Sequence, residues 1–317
     1  MATYKEIHGI NVQYRASDAP EIEGDVWYNS STGKLKMYSA LGSWASGGTM
    51  NTGASLITGT GSQTAGLSAG GEVGPPSTYG NSEEYNGSTW TAGGNLTSAR
   101  AQLASTGSAG SQTAALCFLG RTAPAAVALV EQYDGSSWTE IADCNTARRE
   151  SPGGSGTTTA CVAFAGGEAL AITESWNGTS WTEVADLNTG REYVADAGDS
   201  GTSALCIGGG PTVTDVVETW NGTSWTEVGD LNTARKILSG AGGTTAALAF
   251  GGGPPNVAIT EEWNGSSWAE VADLPTAKTD GAGTGTSSLA LSFGGGGPVD
   301  TTEEWSMAAA VQTVAFD

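Results

Sequence analysis

Histidine is nearly missing from this chain: 317 residues include one, His8, and it stands outside the repeated part of the sequence. Serine-type triads and histidine-ligated metal centres therefore have no candidate within the repeats. Cysteine is scarce as well. Cys117, Cys144, Cys161 and Cys206 lie in separate repeats, without the close spacing of a zinc or redox site. Cys144 fills a slot that is Leu96, Leu187, Leu231 or Leu274 elsewhere, so the four read as reduced apolar fillers. Basic residues number 12 against 33 acidic ones, a formal net charge of −21. Such a surface repels phosphate backbones and anionic lipid, which argues against nucleic acid as a partner. No apolar run approaches the length that spans a bilayer, and Met1-Ala2-Thr3-Tyr4-Lys5-Glu6 lacks the apolar core of a secretion leader. The expectation is synthesis in a cytoplasm, without membrane insertion.

What the chain has is repetition. An acidic residue, any residue and an aromatic recur six times, ending at Tyr85, Tyr133, Trp176, Trp220, Trp263 and Trp305, at intervals of 48, 43, 44, 43 and 42 residues. After the first five comes an Asn-Gly or Asp-Gly turn and a second tryptophan, Trp90, Trp138, Trp181, Trp225 or Trp268. A period in the forties, built from short β-like runs with Gly-Gly punctuation, marks the blades of a propeller. Alternation in Thr260-Glu261-Glu262-Trp263 gives one face a large aromatic and leaves the other polar. The Asn-Gly pair is expected to supply the positive φ angles of a short hairpin turn. Asn-x-Ser/Thr at Asn86, Asn177, Asn221 and Asn264 reads as that turn rather than as a glycan acceptor. Small residues such as Ser239-Gly240-Ala241-Gly242-Gly243 suit innermost strands crowded at an axis. Glycine, serine and threonine in such amounts otherwise indicate a flexible chain, but aromatics held in register exclude that.

The strand count predicts how the ring closes. Six aromatic phrases meet only five following tryptophans, and the sixth of that type, Trp44, precedes the first complete set. It is followed by Asn51-Thr52-Gly53-Ala54, the counterpart of Asn188-Thr189-Gly190-Arg191. The Trp44 strand is therefore expected to be the outer strand of the last blade, removing exposed sheet edges. The apolar run 308–316 is the competing candidate. A basic slot also recurs, at Arg100, Arg148, Arg191, Arg235 and Lys278, and the repeated glutamate of the aromatic phrase is expected to pair with it. Six copies at equivalent positions read as structural rather than as an acid–base pair. The recurring Asp143, Asp186, Asp230 and Asp273 read as caps of the turn before Asn-Thr rather than as Ca²⁺ ligands.

In this layout, over roughly residues 44–306, the chain resembles the kelch repeat, whose four strands a to d carry a double glycine after b, an aromatic in c and a tryptophan in d. The resemblance implies an all-β, six-bladed kelch-like β-propeller closed by an N-terminal strand around Trp44. Its blade core would be Tyr85, Tyr133, Trp176, Trp220, Trp263 and Trp305 with Trp44, Trp90, Trp138, Trp181, Trp225 and Trp268. No catalytic residue, metal or cofactor is expected. In the kelch arrangement the b–c and d–a loops share one rim, and here those loops vary most from repeat to repeat. Tyr79, Arg121, Arg149, Tyr193 and Lys236 are the candidate partner contacts on it.

Residues 1–43 are a different kind of sequence. The run from Gly24-Asp25-Val26-Trp27-Tyr28-Asn29 through Ser31-Thr32-Gly33 to Lys34-Leu35-Lys36-Met37-Tyr38 reads as a hairpin. It resembles a segment of tail-fibre and other virion proteins of tailed bacteriophages, and the phrase from Glu83 to Trp90 is similar to kelch-like arrays in marine phage structural proteins. The resemblance implies an N-terminal attachment segment (1–43), a propeller (44–306) and a tail (307–317). Tyr4, Ile7, Trp27, Tyr28 and Tyr38 would contact other virion proteins. The function implied is non-enzymatic: a virion structural protein, tail- or fibre-associated, recognising a host-surface glycan or protein, with assembly into homo-oligomers on the particle open. Two alternatives stand beside it, a decoration protein without receptor binding and an intracellular kelch adaptor.

Overall fold

The computed structural model describes residues 12–18, 25–74, 77–297 and 299–313. They fall into two units, one of residues 44–305 and one of residues up to 43 together with those from 306 onward. The larger unit is all β, a ring of six four-stranded antiparallel blades. Blades 1 to 6 cover residues 58–92, 104–140, 153–183, 195–227, 239–270 and 282–305, the last completed by residues 44–46. In blade 3 the strands, a to d from the axis outward, are Gly153–Thr157, Ala160–Phe164, Thr173–Trp176 and Trp181–Glu183.

Composition changes along that radius for steric reasons. Neighbouring a strands approach backbone to backbone, so a Cβ on Gly240 would meet the Asp196 carbonyl oxygen at 2.1 Å and one on Gly283 the Gly240 oxygen at 2.4 Å. Strand b is covered on both faces by the adjacent blades and loses its alternation, as in the fully buried run Cys161-Val162-Ala163-Phe164. Strand d opens on a buried tryptophan followed by two exposed residues. That tryptophan stacks on the strand-c aromatic of its own blade, with centroids 4.9–5.5 Å apart in blades 1 to 5. Its other edge meets the preceding blade, in the pairs Phe118–Trp181, Phe164–Trp225 and Phe293–Trp90 at 4.8–5.4 Å.

Trp44 occupies the same position in blade 6. It lies 4.9 Å from Phe250 of blade 5 and 5.4 Å from Trp305. Its Nε1 donates to Thr260 Oγ1 of blade 5 at 3.0 Å, as Trp225 of blade 4 donates to Thr173 of blade 3 at 2.9 Å. The ring thus closes through the N-terminal strand. Residues 308–313 continue the strand Thr302–Thr313 and supply no outer strand to the blade, and the rest of the candidate run 308–316 lies outside the described residues.

The repeated basic residue and glutamate form a buried latch in the linker ahead of each blade. In blade 4, Glu218 accepts the backbone N–H of Asn188 (2.8 Å) and Thr189 (3.4 Å), the Asn188 side-chain amide (2.8 Å) and Arg191 Nη2 (2.9 Å). Arg191 Nη1 donates to the Gly208 and Val216 carbonyls at 2.9 and 2.6 Å. Arg148–Glu174 and Arg235–Glu261 repeat the set at 3.0 and 2.8 Å. Arg100–Glu131 does so at 2.9 Å with Thr97 in place of the asparagine, and Lys278–Glu303 closes blade 6. Blade 1 departs from this. Glu83 keeps the Asn51 and Thr52 donors at 2.8–2.9 Å, but Ala54 stands in the arginine slot and, among the described residues, no cation faces it.

Two local expectations change in detail. In the c–d turns glycine takes the positive φ (91° at Gly178), while the asparagine acts through its side chain, Asn177 Oδ1 accepting Thr179 and Ser180 N–H at 2.9 and 3.0 Å. Asp143, Asp186 and Asp273 cap the start of strand c, accepting the N–H of Val130, Thr173 and Thr260 at 3.2–3.3 Å, rather than the turn before Asn-Thr.

In the smaller unit, Val26–Asn29 pairs antiparallel with Lys34–Ser46 through the expected turn, with Tyr28 opposite Leu35. Gln13–Arg15 adds a parallel edge to Val26–Asn29.

Candidate functional site

The b–c and d–a loops converge where the a strands begin, and their backbone there is unusual. Leu56, Gln102, Glu150, Tyr193, Ile237 and Asp280 occupy equivalent positions in blades 1 to 6, and all six are left-handed, with φ of 53–65°. A non-glycine residue in that region costs about 1–2 kcal/mol. Hydrogen bonds offset the strain by running from blade to blade: Gln102 N to Leu56 O (2.9 Å), Leu56 N to Asp280 O (2.7 Å), Ile237 N to Tyr193 O (2.9 Å) and Tyr193 N to Glu150 O (2.7 Å). A uniform backbone ring therefore presents six different side chains around one mouth.

Three of the five candidate rim residues come together on blades 3 to 5. Lys236 Nζ lies 5.5 Å over the Tyr193 ring, a cation–π contact, and the Tyr193 hydroxyl receives Gln102 Nε2 at 3.5 Å. Arg149 donates to the Pro124 carbonyl at 2.6 Å and lies 3.6 Å from Glu150. Glu150 and Glu192 join this group. Burial, then the Glu150 carboxyl hydrogen-bonded to it, push the Glu192 carboxyl above its ordinary range. Burial and then the Glu150 and Glu192 charges raise the Tyr193 phenol likewise. The sequence reading missed Gln102, Glu150 and Glu192. Their signal is the residue one or two places after the arginine slot, where the repeats diverge most.

Arg121 and Tyr79 belong to a second group on blades 1 and 2. Arg121 pairs with the buried Glu72, and these two replace the third glycine that blades 3 to 6 carry as Gly167, Gly210, Gly253 and Gly296. Tyr79 donates its N–H to the Gly71 carbonyl at 2.8 Å, and its buried hydroxyl has no hydrogen-bond partner among the described residues. The repeated strand-c glutamates are committed to the latches. Among the described residues no three His, Cys, Asp or Glu side chains gather as a metal would need.

Of the candidate attachment residues, Trp27 is fully buried in the smaller unit, its Nε1 donating to Asp18 at 3.2 Å with the Arg15 guanidinium 5.5 Å over its ring. Tyr28 stacks on the exposed Tyr14 at 5.3 Å. Tyr38 is half-buried. Tyr4 and Ile7 lie outside the described residues. Among the described residues no helix is long and apolar enough to cross a membrane. No protein-family model matches the chain, and no curated protein matches it in sequence.

Proposed function

We propose that this chain is a non-enzymatic virion structural protein, tail- or fibre-associated, whose propeller recognises a glycan or protein on a host surface. Residues 1–43 attach it to other virion proteins. The kelch-like repeat and the phage-like segment around Gly24–Tyr38 support the context. The observation that carries the recognition role is the ring of six unlike side chains on equivalent left-handed positions: strain kept at six sites, with a different group at each, fits selection for contact rather than for folding. Arg149, Tyr193 and Lys236 are its leading contacts. Purified full-length protein should bind host cells saturably and inhibit infection by native particles, and the Arg149→Ala/Tyr193→Ala/Lys236→Ala variant should do neither while melting like the parent. Attachment to assembled particles without cell binding would replace receptor recognition with decoration. Absence of the chain from purified particles, seen by immuno-electron microscopy, would remove the virion reading itself.

A further inference from the structure

The axis of the ring carries a cavity that neither group of rim residues uses. It measures about 60 Å³ and is bounded where the a strands begin, with Leu56, Ile237 and Asp280 half-buried at its mouth. The equivalent position one step into each a strand is Gly59, Ser105, Gly154, Asp196, Gly240 or Gly283. Four are glycine, as the close approach of the strands demands. Ser105 and Asp196 are the exceptions, and Asp196 puts a carboxyl on the cavity wall.

That carboxyl is half-buried and receives little from the protein. Its Oδ2 accepts the Gly154 N–H at 2.9 Å, and no other hydrogen bond reaches it from the described residues. Burial outweighs that one donor and pushes the group up to about 7. Asp280 adds a second carboxyl, also raised by burial and held by the Thr279 hydroxyl at 3.0 Å. No lysine, arginine or histidine lines the cavity among the described residues, and Leu56, Leu103, Val194 and Ile237 supply apolar wall. A half-buried carboxyl with one protein donor and no cation beside it, set in the wall of a concave site, is a counter-ion open to a cationic ligand. At roughly 10–15 Å³ per water-sized position, the space holds about four to six such positions, which suits an ammonium head with a short aliphatic stem.

We propose that this axial cavity binds a primary alkylammonium group, with Asp196 as its counter-ion and the apolar collar around its stem. The inference does not depend on the virion reading. The chemistry is shared by a free aliphatic amine and by a lysine side chain of a partner protein, and the test separates them. Calorimetric titration of the full chain with butylammonium chloride should show saturable binding that 1-butanol and tetramethylammonium do not reproduce. Asp196→Asn should weaken it about 30-fold or more, while Thr182→Ala, on an exposed outer strand, should leave it unchanged. Competition by Nα-acetyl-lysine amide identifies a lysine side chain as the ligand source, and binding of butylammonium without that competition identifies a free amine. Asp196→Asn relieves a partly desolvated charge and should melt no lower than the parent, so its loss of binding would not reflect unfolding. Absence of saturable binding to the parent chain, or equal binding by folded Asp196→Asn, overturns the proposal.

Discussion

The latches make an asymmetric prediction, because blade 1 already shows what one of them looks like without its cation. Replacing Arg191 by Met keeps much of the side-chain stem and leaves Glu218 with the Asn188 N–H, the Asn188 amide and the Thr189 N–H, the same donor set that holds Glu83. The loss is one charge-assisted bond to Glu218 and two bonds to carbonyls, of which Val216 O keeps the Gly208 N–H at 3.0 Å. At about 1.5–3 kcal/mol for a charged hydrogen bond, Arg191→Met should cost roughly 2–3 kcal/mol. Glu218→Met is worse. It strands a guanidinium in a site where Arg191 is 1% exposed, and orphans three amide donors besides. Breaking a buried pair from that side belongs at the upper end of about 3–5 kcal/mol. Urea titration followed by tryptophan fluorescence measures both, and the double variant should cost less than the two singles together, since each removes the other's orphan. If Arg191→Met proves as destabilising as Glu218→Met, the amide donors do not sustain a buried carboxylate and the reading of blade 1 fails.

Installing the missing cation should act in the opposite direction: Ala54→Arg is expected to raise the urea midpoint by the equivalent of about 1 kcal/mol, the surplus of new charged bonds over arginine desolvation. Asp196→Asn should stabilise the chain in a pH-dependent way. A carboxyl raised from 3.8 to about 7 by folding contributes nothing adverse below pH 4 and destabilises progressively up to pH 7, by at most about 4 kcal/mol. The melting-temperature difference between variant and parent should therefore grow from pH 4 to pH 7 and level off above it, and a gain of equal size at pH 4 would refute the assignment. Cys206, pushed up to about 12 by burial, and Cys117, Cys144 and Cys161, pushed higher still, should be inert to a thiol-disulfide reagent at pH 8 until urea unfolds the ring, when all four react. Trp44→Ala, which opens the closing blade, should cost about 3–5 kcal/mol in the same urea assay.

Much of the architecture was readable because it rests on spacing. The interval between aromatics counts blades, and the mismatch between six strand-c phrases and five following tryptophans points to Trp44 before any coordinates do. The pairing of the arginine slot with the strand-c glutamate was legible for the same reason, since both recur in register. What convergence adds was not. Nothing in Leu187-Asn188-Thr189 announces that two backbone N–H groups and an amide meet on Glu218, because those contacts join residues about thirty positions apart through a fold. Asp196 sits in Ala195-Asp196-Ala197-Gly198, where a single acid among small residues looks like surface charge until the axis is seen to enclose it. The rim was half legible. Loop variability brought out Arg149, Tyr193 and Lys236, but the left-handed ring lies in residues such as Leu56 and Ile237 whose types disfavour that conformation.

The two latches without an arginine flank the one joint that the chain does not close covalently. Within blade 6, strand c begins at Thr302 and strand d ends at Ser46, so this blade is completed by segments from opposite ends of the sequence. Glu303 in that strand c carries a lysine instead of an arginine, with Pro275 where four of the other five linkers place an asparagine, and the linker leaving strand d carries Ala54. Every segment that docks at this joint must shed its water. A guanidinium at position 54 would add several kcal/mol of desolvation to each closing, recovered only once Glu83 and the carbonyls are in place. Contacts with less desolvation to recover hold the joint instead: Trp44 against Phe250 and Trp305, Trp90 Nε1 on Thr302 Oγ1 at 2.8 Å, and Thr284 Oγ1 on the Gly61 carbonyl at 2.7 Å. Aromatic area is regained gradually as surfaces meet, whereas a buried ion pair is regained only when fully formed. The placement of charged latches within covalently continuous blades, and of tryptophan at the open one, follows from that difference.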